Sequence, residues 1–270
     1  MKFICPKCNE KLNIEEGRAV CKNGHSYDKA RGGYFNLLLS QKGGTHGDNK
    51  DMVLARRAFL DAGYYAPLAR YVASQVAEYT PVGGAVLDAG AGEGYYTDFI
   101  ECTLRELHGV ADVSAFDISK DAVREIGKKN PRISLAVAGS YHMPVADESI
   151  DTVVNTFSPL ALEETRRVLR QGGHFIMAIP GEMHLFGLKS AIYETPYKNV
   201  VADTALSGFE LIEDEPLTYK IGLDSSEAIK NLFMMTPYAY RTKPADREKI
   251  LSLESLETEA DFRVFVYRKI

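Results

Sequence analysis

No run of apolar residues in this chain of 270 approaches the ~18 needed to cross a bilayer. Met1-Lys2-Phe3-Ile4-Cys5-Pro6 has no apolar stretch behind it of the kind a secretory signal carries. A soluble cytoplasmic protein with no membrane partner is expected. Cysteine is scarce, with four residues of which three precede position 22, and this excludes the disulfide framework of a secreted protein. Basic excess is also missing. The net charge of −5, from 32 Lys and Arg against 37 Asp and Glu, argues against a polyanion partner for the chain taken whole. Internal repeats and low-complexity tracts are absent as well. What remains is 45% apolar, too much for a disordered chain, at a length that fits one large domain and one small one.

The average charge hides an asymmetry. Residues 1 to 57 hold 11 Lys and Arg against 6 Asp and Glu, a local +5, whereas the remainder holds 21 against 31, or −10. The basic excess, carried by Lys2, Lys7, Lys11, Arg18, Lys22, Lys29 and Arg31 with Arg56 and Arg57 beyond, sits where the cysteines are. A nucleic-acid contact through this end becomes the natural reading, against a merely solvated basic surface.

Cys5-Pro6-Lys7-Cys8 sets two thiolates on one tight turn, and Cys21 and His25 follow after a hairpin's length of chain. Three thiolates and an imidazole at this spacing suit a tetrahedral zinc site of the structural kind, with no position left open for substrate. Residues 1 to 36 have little apolar periodicity, and such a site would supply the staple they need. A thioredoxin-like pair would require Cys-x-x-Cys opening a helix after a strand, a context not present here. Cys102, alone in a helical stretch, reads as a buried small apolar residue.

Residues 40 to 51 carry three glycines and read as a linker or loop, and from Met52 two helices are expected, broken near Gly63 and Pro67. After Gly83-Gly84, apolar runs at 85–87, 113–116, 133–138, 150–157 and 174–179 alternate with helical stretches near 96–107, 120–129 and 161–170. This rhythm implies βαβ units and a doubly wound, Rossmann-like α/β sheet. A further helix near 225–234 and a final strand over 262–267 complete the reading. The expected domains are a zinc-ribbon-like, nucleic-acid-binding 1–36, a linker 37–57 and an α/β domain 58–270.

The first strand ends in Asp88-Ala89-Gly90-Ala91-Gly92-Glu93-Gly94, a turn whose glycines let backbone approach a ligand. The dinucleotide fingerprint would need glycine at 95, where Tyr95 stands. Asp-x-Gly-x-Gly-x-Gly is the form used with S-adenosylmethionine. Asp117, at the end of the next strand, stands where a carboxylate accepts both ribose hydroxyls. Gly90, Gly92, Glu93 and Asp117 are therefore cofactor-binding candidates, with Ala138 to His142 placed to flank an adenine.

Taken together these residues resemble a known family, the zinc-bearing 23S ribosomal RNA guanine-N1 methyltransferases called RlmA or RrmA. Further marks are Gly33-Tyr34-x-Asn36-Leu37-Leu38, Ala55 through Leu68, Glu93-Gly94-Tyr95-Tyr96-Thr97, Pro180-Gly181-x-x-His184-Leu185 and Met235-Thr236-Pro237. The resemblance implies a class I methyltransferase fold, zinc on Cys5, Cys8, Cys21 and His25, and S-adenosylmethionine contacts from Tyr65, Gly92, Glu93, Asp117 and His184. By themselves Tyr65 would read as a core aromatic and His184 as a loop histidine. It also implies a homodimer acting on a guanine in a 23S rRNA hairpin, with no DNA partner.

Guanine N1 lies on the Watson–Crick edge and carries a proton, so the base must be unpaired and the proton must leave. Asn155, Ser158, His184 and Asp61 are candidates at the mouth of the sheet, but no catalytic residue can be assigned among them. Phe157, at a strand end, reads as core, with stacking on a base as the alternative. Two other functions fit parts of the sequence. A small-molecule methyltransferase would share Asp88 and Asp117 but gives no reason for the zinc module, and a non-enzymatic zinc-ribbon RNA adaptor would bind cofactor without turnover.

Overall fold

The computed structural model describes residues 2–39, 48–201 and 204–270. The 40–47 part of the expected linker lies outside them. Three short strands, β1 (Asn13–Glu15), β2 (Arg18–Val20) and β3 (Ser26–Asp28), make a small antiparallel sheet. A second sheet of eight strands contains β4 (Tyr34–Asn36), β5 (Ala85–Ala89), β6 (Asp112–Asp117), β7 (Ser134–Val137), β8 (Ile150–Thr156), β9 (Leu169–Pro180), β10 (Phe209–Leu223) and β11 (Leu256–Lys269). Its order is β10-β11-β9-β8-β5-β6-β7-β4. Every pairing from β4 to β9 is parallel, and β11 runs antiparallel between β9 and β10. From β5 the chain steps outward through β6 and β7, then returns to lay β8 on the other side of β5. That reversal is a switch point, where open α/β sheets take ligands beyond the strands' carboxyl ends.

The helices are α1 (Lys50–Asp61), α2 (Ala66–Tyr79), α3 (Tyr95–His108), α4 (Lys120–Lys129), α5 (Leu162–Val168), α6 (Phe186–Ile192), α7 (Ser226–Met234), α8 (Tyr238–Arg241) and α9 (Pro244–Leu251). Local chemistry sets their ends. The Met52 N–H donates to the Asn49 side chain at 3.0 Å and starts α1, and Ser119 caps α4 in the same way. Residues 50–57, expected as linker, are thus helical, because Asn49 starts the helix two residues before its apolar stripe becomes visible. Among the described residues no helix is long and apolar enough to cross a membrane.

Two buried clusters cover the two faces of the large sheet. Val86, Val113, Val154 and Ile176 pack with α1, α2 and α3 on one side, while Leu87, Phe116, Val153 and Phe175 belong to the other. The second cluster reaches into the zinc-binding end of the chain: Phe3, Leu12, Ala19, Phe35 and Leu37 are part of it. Residues 1 to 36 therefore rely on more than a metal staple. The Ile4 N–H donates to Pro144 O at 2.8 Å, Phe3 bridges Val145, and β4 hydrogen-bonds to β7 as an edge strand of the main sheet. Gly127 fits against the Gly32 carbonyl so closely that a Cβ would fall 1.8 Å from that oxygen.

Candidate functional site

The four metal-ligand candidates converge. The ligand atoms of Cys5, Cys8, Cys21 and His25 all lie within 4.8 Å of one another. The Cys8 and Cys21 sulfurs are 3.7 Å apart, and His25 Nδ1 is 3.3 to 3.4 Å from each of the three sulfurs. Zinc–sulfur bonds of about 2.3 Å in a tetrahedron put neighbouring sulfurs about 3.7 Å apart, so the set fits zinc with every position filled. Two of the ligands come from the turn before β1, and the other two from the turn between β2 and β3. The Tyr27 hydroxyl lies 3.2 Å from Cys5 Sγ, placed to donate to a thiolate ligand, and burial pushes its own pKa upward.

At the switch point, β5 delivers Asp88 and the glycine turn. Gly90 and Gly94 have φ of +86° and +83°. A Cβ on Gly90 would fall 2.0 Å from Ser158 Oγ, and one on Gly94 would fall 2.7 Å from Ile126, so both positions require glycine for space as well as for conformation. Asp117, at the end of β6, accepts the Gly92 N–H at 2.9 Å and the Ser119 N–H at 2.7 Å, which fixes its carboxylate beside the turn. The Thr97 hydroxyl donates to Asp88 at 2.6 Å. Burial raises the Asp88 carboxyl to about 7 despite this bond. Burial also raises Glu93 to about 7, with the Arg56 guanidinium 3.7 Å away opposing the shift, and it raises Asp117 against the two N–H donors.

Tyr65 and His184, far apart in sequence, meet here. Tyr65 Oη is 3.3 Å from His184 Nε2, both side chains are buried, and the Asp261 N–H donates to His184 Nδ1 at 3.4 Å. Burial lowers the histidine's pKa to about 3, so the ring is neutral, with its proton assigned to Nε2 because Nδ1 accepts. Tyr96, Phe157 and His184 form a run of ring contacts linking this wall to the glycine turn. Residues beside the glycine turn and Phe157 also carry buried polar atoms with no hydrogen-bond partner among the described residues: Glu93 Oε2, the Tyr96 hydroxyl and Thr156 Oγ1. S-adenosylmethionine, with an ammonium, a carboxylate and two ribose hydroxyls, fits such a set.

Two sequence expectations about burial are corrected. Cys102 is exposed, since it lies two residues from Ile100 and so off the buried stripe of α3. Phe157 is 39% exposed rather than core. The basic track is also narrower than its count. Lys2, Arg18 and Lys22 pair with Asp112, Asp28 and Glu10, Arg56 turns to Asp48 and Glu93, and Arg57 to Asp61 and Glu125. Lys7, Lys11, Lys29 and Arg31 are exposed and have no carboxylate partner among the described residues. Of the candidate bases, Asp61 pairs with Arg57 and Lys129, and Asn155 is engaged by the Ser158 N–H and Pro159 O. His184 offers no open acceptor. Ala138 to His142 leave β7 through a turn that exposes Tyr141.

Residues 3–44 match the family model described as RlmA, N-terminal, and residues 87–177 match a methyltransferase domain. The 23S rRNA (guanine(748)-N(1))-methyltransferase of Streptomyces fradiae is 32% identical over 247 residues, covering 89% of this chain and 86% of that protein. The chain belongs to the RlmA family. A Micromonospora griseorubida protein, provisionally named for 23S rRNA guanine-N1 methylation, is also 32% identical, over 98% of this chain and 97% of its own length. Among solved structures the [4+2]-cyclase SpnF superposes with a TM-score of 0.49 at 17% identity, over 74% of this chain and 80% of that one. The fold is that of a class I, S-adenosylmethionine-dependent methyltransferase carrying a zinc ribbon.

Proposed function

We propose that this chain transfers a methyl group from S-adenosylmethionine to N1 of a guanine in a hairpin of 23S ribosomal RNA. The observation that carries the reading is the union, in one chain, of a four-ligand zinc cluster and a switch-point pocket with unsatisfied buried polar atoms, within a family named for this reaction. S-adenosylmethionine, when bound, supplies an electrophilic methyl on a sulfonium centre. The chain's part is to hold and to exclude. Asp117 would accept the ribose hydroxyls, Gly90 and Gly92 would bring backbone against the cofactor, and Glu93, whose Oε2 has the Arg56 ion pair but no hydrogen bond, would offer that oxygen to a cationic or hydroxyl group. Tyr65 and His184, neutral and mutually bonded, would close the far wall. Asp61 is ion-paired, Asn155 is bonded within its own turn, His184 has no open acceptor and a serine hydroxyl is a weak base, so the chain contributes alignment of N1 with the methyl carbon, and the N1 proton leaves to water.

Zinc would be held by Cys5, Cys8, Cys21 and His25, giving residues 1 to 36 a fixed shape that presents Lys7, Lys11, Lys29 and Arg31 to phosphate. The same reading takes the protein to be a cytoplasmic homodimer, as the resemblance implies, with the domains divided near 36 and 57. The direct test incubates purified protein with methyl-labelled S-adenosylmethionine and unmodified 23S rRNA transcript, then digests the RNA to nucleosides. Label is expected in 1-methylguanosine. Label in a small acceptor but not in RNA would point to the small-molecule alternative, and no label anywhere to an adaptor. Charge reversal at the four free basic residues should flatten the salt dependence of RNA binding, by ~0.7–0.9 in log–log slope for each phosphate that is no longer neutralised.

A further inference from the structure

Among the described residues five non-glycines have positive φ, and three of them, Asn9, Glu16 and Glu148, are polar. Of the two that are large and apolar, Phe157 at +58° stacks on the His184 ring and Leu185 at +56° follows His184 in the chain. Left-handed backbone is costly for bulky side chains, and such strain collects at sites that clamp a ligand. At Phe157 the strain is held in place on every side. Its N–H donates to Ala178 O at 3.1 Å, the Ser158 N–H donates to Asn155 Oδ1, and Asn155 Nδ2 donates to Pro159 O.

The turn reverses the direction of the side chain. Thr152 through Thr156 of β8 are all buried, yet the next residue places an aromatic ring at the surface. That ring lies nearly parallel to His184, with centroids 6.3 Å apart at 21°, and leans on Phe262 at 5.6 Å and on the edge of Tyr96 at 6.1 Å. The following residue, Ser158, packs directly on Gly90 of the cofactor turn. One side of the Phe157 ring is thus backed by protein, part of it is open, and it stands one residue from the side chain that packs on the cofactor turn. A planar base laid on it would extend the stack while its Watson–Crick edge stayed free.

We propose that Phe157 is the platform on which the unpaired target guanine stacks, an inference that rests on the guanine-N1 reading above. The test uses full-length protein and unmodified 23S rRNA transcript, with Phe157→Leu, Phe157→Ala, Phe157→Gly and Phe157→Tyr. Leucine and alanine should lower kcat/KM for RNA about 10- to 100-fold, within the range for loss of one base–aromatic stack, while tyrosine retains most of it. S-adenosylmethionine affinity by calorimetry should stay within about twofold in the leucine and tyrosine variants, because the cofactor contacts proposed above come from other residues. Phe157→Gly should melt above Phe157→Ala although both lose the platform, since glycine adopts this backbone without strain. Wild-type kcat/KM in the leucine variant, or cofactor affinity falling in step with activity, would overturn the platform. Wild-type protein inactive on the transcript would strike down the guanine reading itself, and the platform with it.

Discussion

Of the nine residues in β1, β2 and β3 only Ala19 is buried, whereas all five residues of β5 are. Strands that bury almost nothing cannot be held by the hydrophobic effect, and these three are tied together by backbone pairing and by the four ligands at their turns. The flanking residues of the same segment behave otherwise. Phe3, Leu12, Phe35 and Leu37 join the core beneath Leu87 and Phe116, so the small sheet is metal-held in its interior and core-held at its base. The contrast explains how a segment with no core of its own can present basic side chains in fixed relation to a pocket built by a different sheet.

The largest effect that could break this contrast is metal removal. Structural zinc is worth about 10–16 kcal/mol in zinc-finger peptides. Cys8→Ser, or chelation, should abolish order in β1 to β3 while amide exchange in β5, β6 and β8 stays protected; protein purified without chelator that holds no zinc would refute this. Next in size is Phe3→Ala. Truncating this fully buried ring should cost about 3–5 kcal/mol and lower the melting of the whole chain, not of the zinc module alone. Separate melting of the two parts in wild type would show that the shared core is weaker than its packing implies.

Smaller effects sharpen the other side of the comparison. Asp117→Ala removes a charged acceptor and should weaken S-adenosylmethionine binding by about 1.5–3 kcal/mol, with zinc content unchanged. The smallest effect is on pH. Glu93 titrates near 7 in the free protein because it is buried, and only its carboxylate form attracts the cationic cofactor. Affinity should therefore be full about one unit above pH 7 and fall several-fold as the pH drops from 8 to 6. Glu93→Gln should flatten that slope in calorimetric titrations, leaving a residual dependence from Asp88, also raised to about 7.

Much of this was legible from residue order, for definable reasons. Parallel strands buried on both faces read as continuous apolar runs, so β5, β6, β7 and β8 were visible, and the glycine turn with Asp117 marked the pocket. The ligands Cys5, Cys8, Cys21 and His25 were legible because their spacing is local. Long-range features were not. β10 lies on an open edge, buries only Phe209, Ile221 and Leu223 at its ends, and carries Glu210, Glu213, Asp214, Glu215 and Pro216 between them, a pattern that looks like loop. β4 is three residues long and gains its meaning only by pairing with β7. Tyr65 and His184 are joined by contact across 119 positions, which no local spacing encodes. Of the two readings of Phe157 the core one fails, because an apolar residue closing an apolar run implies burial and one left-handed φ reverses that.

The most direct test of the whole account is to map methylation in the cell. A methyl at guanine N1 blocks Watson–Crick pairing and halts reverse transcription, so 23S rRNA from the producing strain, from a deletion strain and from strains complemented with wild type or Asp117→Ala can be compared. The account predicts one stop at a hairpin guanine that is present in wild type, lost on deletion, restored by wild type and weakened with Asp117→Ala. An unchanged stop pattern across all four strains would contradict it.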